Sequence, residues 1–138
     1  MLTEKFLSAN KMINALEKLT KDLIFISETD SLVLPVELGR ATEVSAEELA
    51  RLADIDRSMN IEEIPLERFF ARLTKKEEWH GSREIERAKR FVKLEKHLHE
   101  SLRDIKVFKV GRVQREIFVV GLDSEDRLSG IRTKSVET

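Results

Sequence analysis

The residues best equipped for chemistry lie at the end of the chain and in two polar breaks within it. Gly130 to Thr138 reads GIRTKSVET, a stretch in which Thr133, Ser135, Glu137 and Thr138 all present side-chain oxygens that accept hydrogen bonds, three of them hydroxyls that also donate. A chain end that frays into solvent needs no particular residues, so this concentration of oxygen ligands asks for a role. Glu28 stands in LIFISETD, where an apolar run gives way to polar residues, and Glu77, Glu78, Trp79 and His80 are consecutive in KKEEWHGS.

Familiar catalytic constellations are thin. His97 and His99 fall in a segment of helical periodicity, and a spacing of two turns them to different faces, which suits solvated histidines better than a shared metal ion. Glycine-rich phosphate loops, nucleophile elbows and HExxH motifs are absent from the sequence, and its glycines read as turn residues. Acidic pairs such as Glu62 with Glu63, or Glu77 with Glu78, are common in a chain this rich in charge and carry little weight alone. Zero cysteines remove thiol catalysis and thiolate metal sites and fit a reducing compartment, so the cytoplasm is the expected location.

With 138 residues, 41% of them hydrophobic and 37% charged, the chain is expected to form one domain, residues 1–138. A fold of this size buries roughly 70% of the surface its unfolded chain exposes, enough for a core without staples. Charges interrupt MLTEKFLSANKMINALEKL too often for a signal peptide or a membrane span, so a soluble protein is expected. A net charge of −1, from 25 basic and 26 acidic residues, argues against direct nucleic-acid binding through a basic stripe and equally against wholesale mimicry of DNA. Competition with nucleic acid would have to act through a few placed acidic groups.

The elements that must position these groups follow from periodicity. Leu2, Phe6, Ala9, Ile13, Leu16, Leu19 and Leu23 recur at helical steps. SLVLPVELG reads as a short strand with Pro35 at an edge or bulge, which leaves Glu28 in a loop before it. Ser45 and Glu48 have the spacing of a capping box ahead of a short helix. Pro65 suits the first turn of PLERFFARL, with Leu66, Phe69, Phe70 and Leu73 as its apolar stripe. Ser82 is placed to cap the longest helix, whose inward face is Ile85, Ala88, Phe91, Leu94, Leu98 and Leu102. IKVFKV and REIFVVG form two strands around Gly111, DSED a turn, and SGIRTKSVE a last strand. Helices first, a long helix between strands, then a meander imply an α+β sandwich on a mostly antiparallel sheet.

Three of these segments, LIFISETD, FFARLTKKEEWH and the G-I-x-T-K-x-V-E-T ending, resemble the nuclease A inhibitor (NuiA-like) family. The resemblance runs in order from about Leu16 to Thr138, and the ending is its most specific part. It implies a small cytoplasmic α/β/α sandwich that is no enzyme and blocks a non-specific, magnesium-dependent endonuclease acting on DNA and RNA. In that family an acidic residue of the first loop takes the place of a scissile phosphate, and the C-terminal threonine is a ligand of the nuclease's magnesium through its hydroxyl. Glu28 and Thr138 occupy those positions. An acid followed by tryptophan makes a second contact area, which carries over to Glu78 and Trp79, with Glu77 beside them and Glu137 beside Thr138.

The resemblance implies no cofactor of the chain's own, only the partner's magnesium within a one-to-one complex, and a free protein that is monomeric. The chain departs from the family pattern where Ser31, Leu32 and Val33 stand in place of a Tyr-Pro pair, Glu77 in place of an amide, Glu78 in place of the shorter aspartate, and His80 in place of an aromatic ring. These departures bear on which nuclease is recognised. Taken without the resemblance, the same residues have plainer readings: Trp79 a core-edge residue, Glu28 a helix cap, the tail an edge strand that stops. Other functional classes are a non-catalytic regulatory module on the same fold with an unrelated partner, and a hydrolase using its own metal.

Overall fold

Strands rich in Val, Ile and Phe and a set of amphipathic helices build the protein, for which a computed structural model describes residues 4–138, with side chains from residue 11 onward. In chain order the elements are α1 (Glu4–Thr20), β1 (Ile24–Ile26), β2 (Asp30–Leu32), β3 (Leu34–Arg40), α2 (Ala46–Ala53), β4 (Ile61–Ile64), α3 (Leu66–Thr74), α4 (Ser82–Ser101), β5 (Arg103–Val110), β6 (Gln114–Leu122) and β7 (Arg127–Val136). Strands β1 and β2 form a separate antiparallel hairpin, and a five-stranded antiparallel sheet runs in the order β3–β7–β6–β5–β4. The expected α+β class and antiparallel sheet are what the chain adopts.

Side-chain alternation along the strands feeds two apolar clusters. Val107, Ile117, Val119 and Ile131 join Leu16 of α1, Phe69 and Phe70 of α3, and Phe91, Leu94 and Leu98 of α4. Their strand neighbours Phe108, Phe118, Val120 and Leu128 join Leu49 and Leu52 of α2. Burying a Phe or Leu side chain contributes about 1.5–3 kcal/mol, so α1, α3 and α4 in the first cluster and α2 in the second are tied to the sheet by its alternate residues.

Several local expectations change. The run SLVLPVELG is not one strand: Ser31 and Leu32 pair back onto β1, Val33 is buried between, and Leu34 begins β3 in the larger sheet. Pro35 sits on β3, an edge strand, where its missing N–H costs no ladder bond toward a second neighbour, and the bulge falls later, between Glu37 and Gly39. Only half of the capping box forms. Ser45 Oγ accepts from Glu48 N at 3.2 Å, but the Glu48 carboxylate accepts instead from Thr42 N and Arg51.

Ser82 is not a cap. Gly81, in extended backbone, holds that position, and Ser82 is already helical. Pro65 likewise stands one residue ahead of α3, as its N-cap. Leu102, expected on the α4 face, is buried just beyond the helix, and so is Leu23 beyond α1. Of the α1 stripe, Leu16 is fully buried and Ile13 and Leu19 partly; Met12 joins them. Leu2 lies outside the described residues, as do the side chains of Phe6 and Ala9.

Candidate functional site at the end of β7

The last strand carries the tail to the site. β7 lies between β3 and β6 in the sheet order, but β3 pairs it only along residues 127–132, and from Thr133 to Val136 its ladder is to β6 alone. Gly130, its fourth residue, has φ +157, and a Cβ there would stand 2.0 Å from the carbonyl oxygen of Val119. Only glycine lets β6 and β7 approach this closely.

Beyond the ladder, the final backbone donors each find a partner. Val136 N donates to Ser27 Oγ at 3.0 Å and Glu137 N to the Val113 carbonyl at 2.9 Å. Thr138 N then donates to Glu28 Oε2 at 2.8 Å, and the Thr138 hydroxyl donates to Glu28 Oε1 at 2.5 Å. Glu28 occupies the tip of the β1–β2 hairpin, which Phe25 anchors by stacking on Phe69 with ring centroids 5.7 Å apart. Both Glu28 and Thr138 are exposed. The arrangement joins a carboxylate and a hydroxyl, two hard oxygen ligands, at one accessible point.

Glu137 faces the other way along the alternation. Its carboxylate accepts from Lys109 Nζ at 3.1 and 3.2 Å, Arg115 Nη1 at 3.3 Å and Ser135 Oγ at 2.6 Å. Arg115 Nη2 continues the chain to Glu62 Oε1 at 2.9 Å. The network thus crosses β4, β5, β6 and β7 at the end of the sheet. Burial works to raise the Glu137 carboxyl, but the Ser135 and Lys109 hydrogen bonds and the charges of Lys109 and Arg115 outweigh it and hold the group below the usual carboxylate range.

The second segment lies between α3 and α4. Glu77 N donates to His80 Nδ1 at 3.0 Å, and His80 N donates back to the Glu77 carbonyl at 3.1 Å, closing a turn around Glu78 and Trp79. Trp79 is 79% exposed, the most exposed of the large hydrophobic residues described, and its ring meets the edge of His80 at 4.2 Å between centroids. It is not a core-edge residue. Lys75 Nζ pairs with Glu77 at 2.8 Å and, chiefly through that hydrogen bond, holds the carboxyl below its ordinary value. Glu78 is exposed.

Three residues that the sequence does not single out, Ser27, Lys109 and Arg115, shape the tail together with Ser135. Alternation alone places Ser135 and Glu137 on one face of a strand, but a lysine and an arginine in strands of charged composition read as solvated until their register is known. The histidines behave differently from each other. His99 is exposed beside Glu95, whereas His97 is half-buried with Nε2 3.3 Å from the Met12 carbonyl, so it packs against α1 and is not a solvated residue. Among the described residues, no helix is long and apolar enough to cross a membrane.

A search of the curated proteins finds no match to the chain. The family model described as nuclease A inhibitor-like protein (NuiA), however, matches residues 10–138, from within α1 through the Glu28 hairpin and the Trp79 turn to the last residue. On that match the chain belongs to the nuclease A inhibitor-like protein family.

Proposed function

We propose that this protein inhibits a non-specific, magnesium-dependent endonuclease that acts on DNA and RNA, by entering its active site with the Glu28–Thr138 pair, and that it has no catalytic activity of its own. The observation that carries the reading is the meeting of the Glu28 carboxylate and the Thr138 hydroxyl at 2.5 Å on an exposed point of the molecule.

A carboxylate is an anion of the kind a phosphodiester-binding cleft attracts, and Glu28 at a hairpin tip is free to precede the rest of the fold into such a cleft. Thr138 supplies a hydroxyl whose hydrogen is directed to Glu28 and whose lone pairs remain for a cation. Magnesium takes oxygen ligands at about 2.0 to 2.1 Å and keeps several waters, so one hydroxyl and one carboxylate are part of a ligand set that a nuclease would complete. These two residues suit a partner's magnesium better than a resident one. The held backbone of residues 136 to 138 lowers the entropy lost on insertion. Trp79, presented by its closed turn with Glu77 and Glu78 alongside, adds a second contact of the kind that dominates protein interfaces.

The complex on this reading is one-to-one, with a monomeric free inhibitor in the cytoplasm. Titrating the chain into a magnesium-dependent non-specific endonuclease digesting plasmid DNA and, separately, RNA should stop both digestions at one equivalent. Calorimetry of the chain alone with magnesium should show negligible binding. Tight magnesium binding by the isolated chain, with cleavage of either nucleic acid, would replace inhibition with an enzyme.

A further inference from the structure

We infer that Glu137 is a positioning residue of the inhibitory tail, bound to Lys109, Arg115 and Ser135 of its own chain so that the last residue is delivered to Glu28, and that it does not meet the partner. This deepens the reading of Glu28 and Thr138 given above and rests on it.

The carboxylate is committed. Its oxygens accept from Lys109, Arg115 and Ser135 at 2.6 to 3.3 Å, and its side chain is only 35% exposed. The cations it serves are more enclosed still, Lys109 at 20% and Arg115 at 10% exposure. Glu62 answers Arg115 Nη2 alone, so withdrawing Glu137 toward a nuclease would leave Lys109 and the other half of Arg115 adjoining as enclosed like charges. Removing one partner of such a group is more costly than the pair is stabilising.

Register explains why this matters at the tip. The β6–β7 ladder ends at Gln114 opposite Val136, one further backbone bond ties Glu137 N to the Val113 carbonyl, and Thr138 lies beyond it, where a chain end would ordinarily fray. Strand side chains alternate, so a slip of one residue would turn the Glu137 carboxylate to the opposite face, away from Lys109 and Arg115, and carry Thr138 off Glu28. Charge-assisted hydrogen bonds to cations on β5 and β6 therefore reinforce, beyond the backbone ladder, the register in which Thr138 N and Oγ1 both reach Glu28. The acid next to the terminal residue sets where the terminus stands.

The full-length chain tests this through two independent readouts, the heteronuclear NOE of the Thr138 amide in the free protein and inhibition of the magnesium endonuclease on plasmid DNA. Glu137→Gln and Lys109→Met should each lower the Thr138 NOE to that of a frayed end and weaken inhibition by roughly tenfold or more. The double variant should be little worse than Glu137→Gln alone, because Lys109 acts on the tail through the Glu137 carboxylate. Lys109→Arg, which keeps the cation, should retain order, inhibition and the thermal midpoint, whereas Glu137→Gln, which leaves Lys109 and Arg115 without that carboxylate, should lower the midpoint, so the Thr138 amide is compared at a temperature where both chains are folded. A Thr138 amide as ordered in Glu137→Gln as in wild type overturns the inference, and a fall in inhibition in that same variant would make Glu137 a direct contact. If the wild-type chain inhibits no such nuclease, the functional reading fails while the NOE series still decides whether Glu137 positions the tail.

Discussion

Thr138 donates both its backbone N–H and its hydroxyl to the carboxylate of Glu28, 110 residues away in the chain, at 2.8 and 2.5 Å. The two groups proposed to act in a partner's active site are thus already assembled as one unit. Glu28→Gln should weaken inhibition by roughly 2 to 5 kcal/mol if the carboxylate is desolvated in a cationic cleft. Because the groups touch, Glu28→Gln and Thr138→Val should be non-additive, with a coupling of about 0.5 to 3 kcal/mol in a double-variant cycle of inhibition constants. Strict additivity would mean that the pair separates on binding.

How much of this could be read beforehand depends on where the signal resides. The helices and the β5–β7 meander follow from apolar periodicity, and the positions of Glu28, Trp79 and Thr138 follow from segments that resemble a family. Strand β4 escapes because Ile61 and Ile64 pack against different apolar clusters, with Glu62 and Glu63 between them, so period-two alternation is absent. The β1–β2 hairpin escapes because Val33, at the junction with β3, is as apolar as the strands it separates. Contacts that join distant strands, such as Arg115 with Glu62 and Glu137, depend on register, which no local pattern records.

Trp79 should matter to binding and little to folding. With 79% of its surface exposed it contributes little to the core, and Trp79→Ala should change unfolding free energy by no more than about 0.5 kcal/mol. Truncation of a tryptophan at an interface centre costs on the order of 2 kcal/mol or more, which the inhibition constant should register. A large drop in melting temperature with unaltered inhibition would reverse that assignment.

Glu77 offers a pH test of the turn that carries Trp79. Lys75 lowers its carboxyl in the folded protein, so the Lys75–Glu77 contact is fully present above the ordinary glutamate value of about 4.3 and is lost as pH falls through the lowered folded value. A carbon-detected titration of the Glu77 carboxyl should have its midpoint below that value, and Lys75→Met should move it upward. An unmoved midpoint in Lys75→Met would leave the pairing without effect on the loop.

Gly130 belongs to the fold, although it opens the nine-residue ending. Its Cβ would meet the Val119 carbonyl oxygen at 2.0 Å, and its φ of +157 is one that L side chains rarely adopt. Gly130→Ala should destabilise the protein by about 2 kcal/mol or more, seen as a lower urea midpoint. Inhibition by the fraction that remains folded should be close to normal, since Glu28 and Thr138 lie at the far end of the strand.

Thr138 separates the fold from its function most sharply. It follows β7, is exposed, and rests on Glu28 alone among the described side chains, so deleting it should change stability by no more than about 0.5 kcal/mol. Inhibition should nevertheless fall steeply, because the partner's cation would lose an oxygen ligand and would have to recover a water in a cleft still crowded by the shortened tail. Thr138→Val keeps the shape and the backbone donor to Glu28 but removes the hydroxyl, and so asks which oxygen matters. If the valine variant inhibits as well as wild type and only the deletion fails, the contact is carried by the backbone or terminal carboxylate. If both inhibit fully in magnesium buffer, the metal-directed role of the tail is wrong, and the Glu28–Thr138 bond serves only to hold the end of the chain.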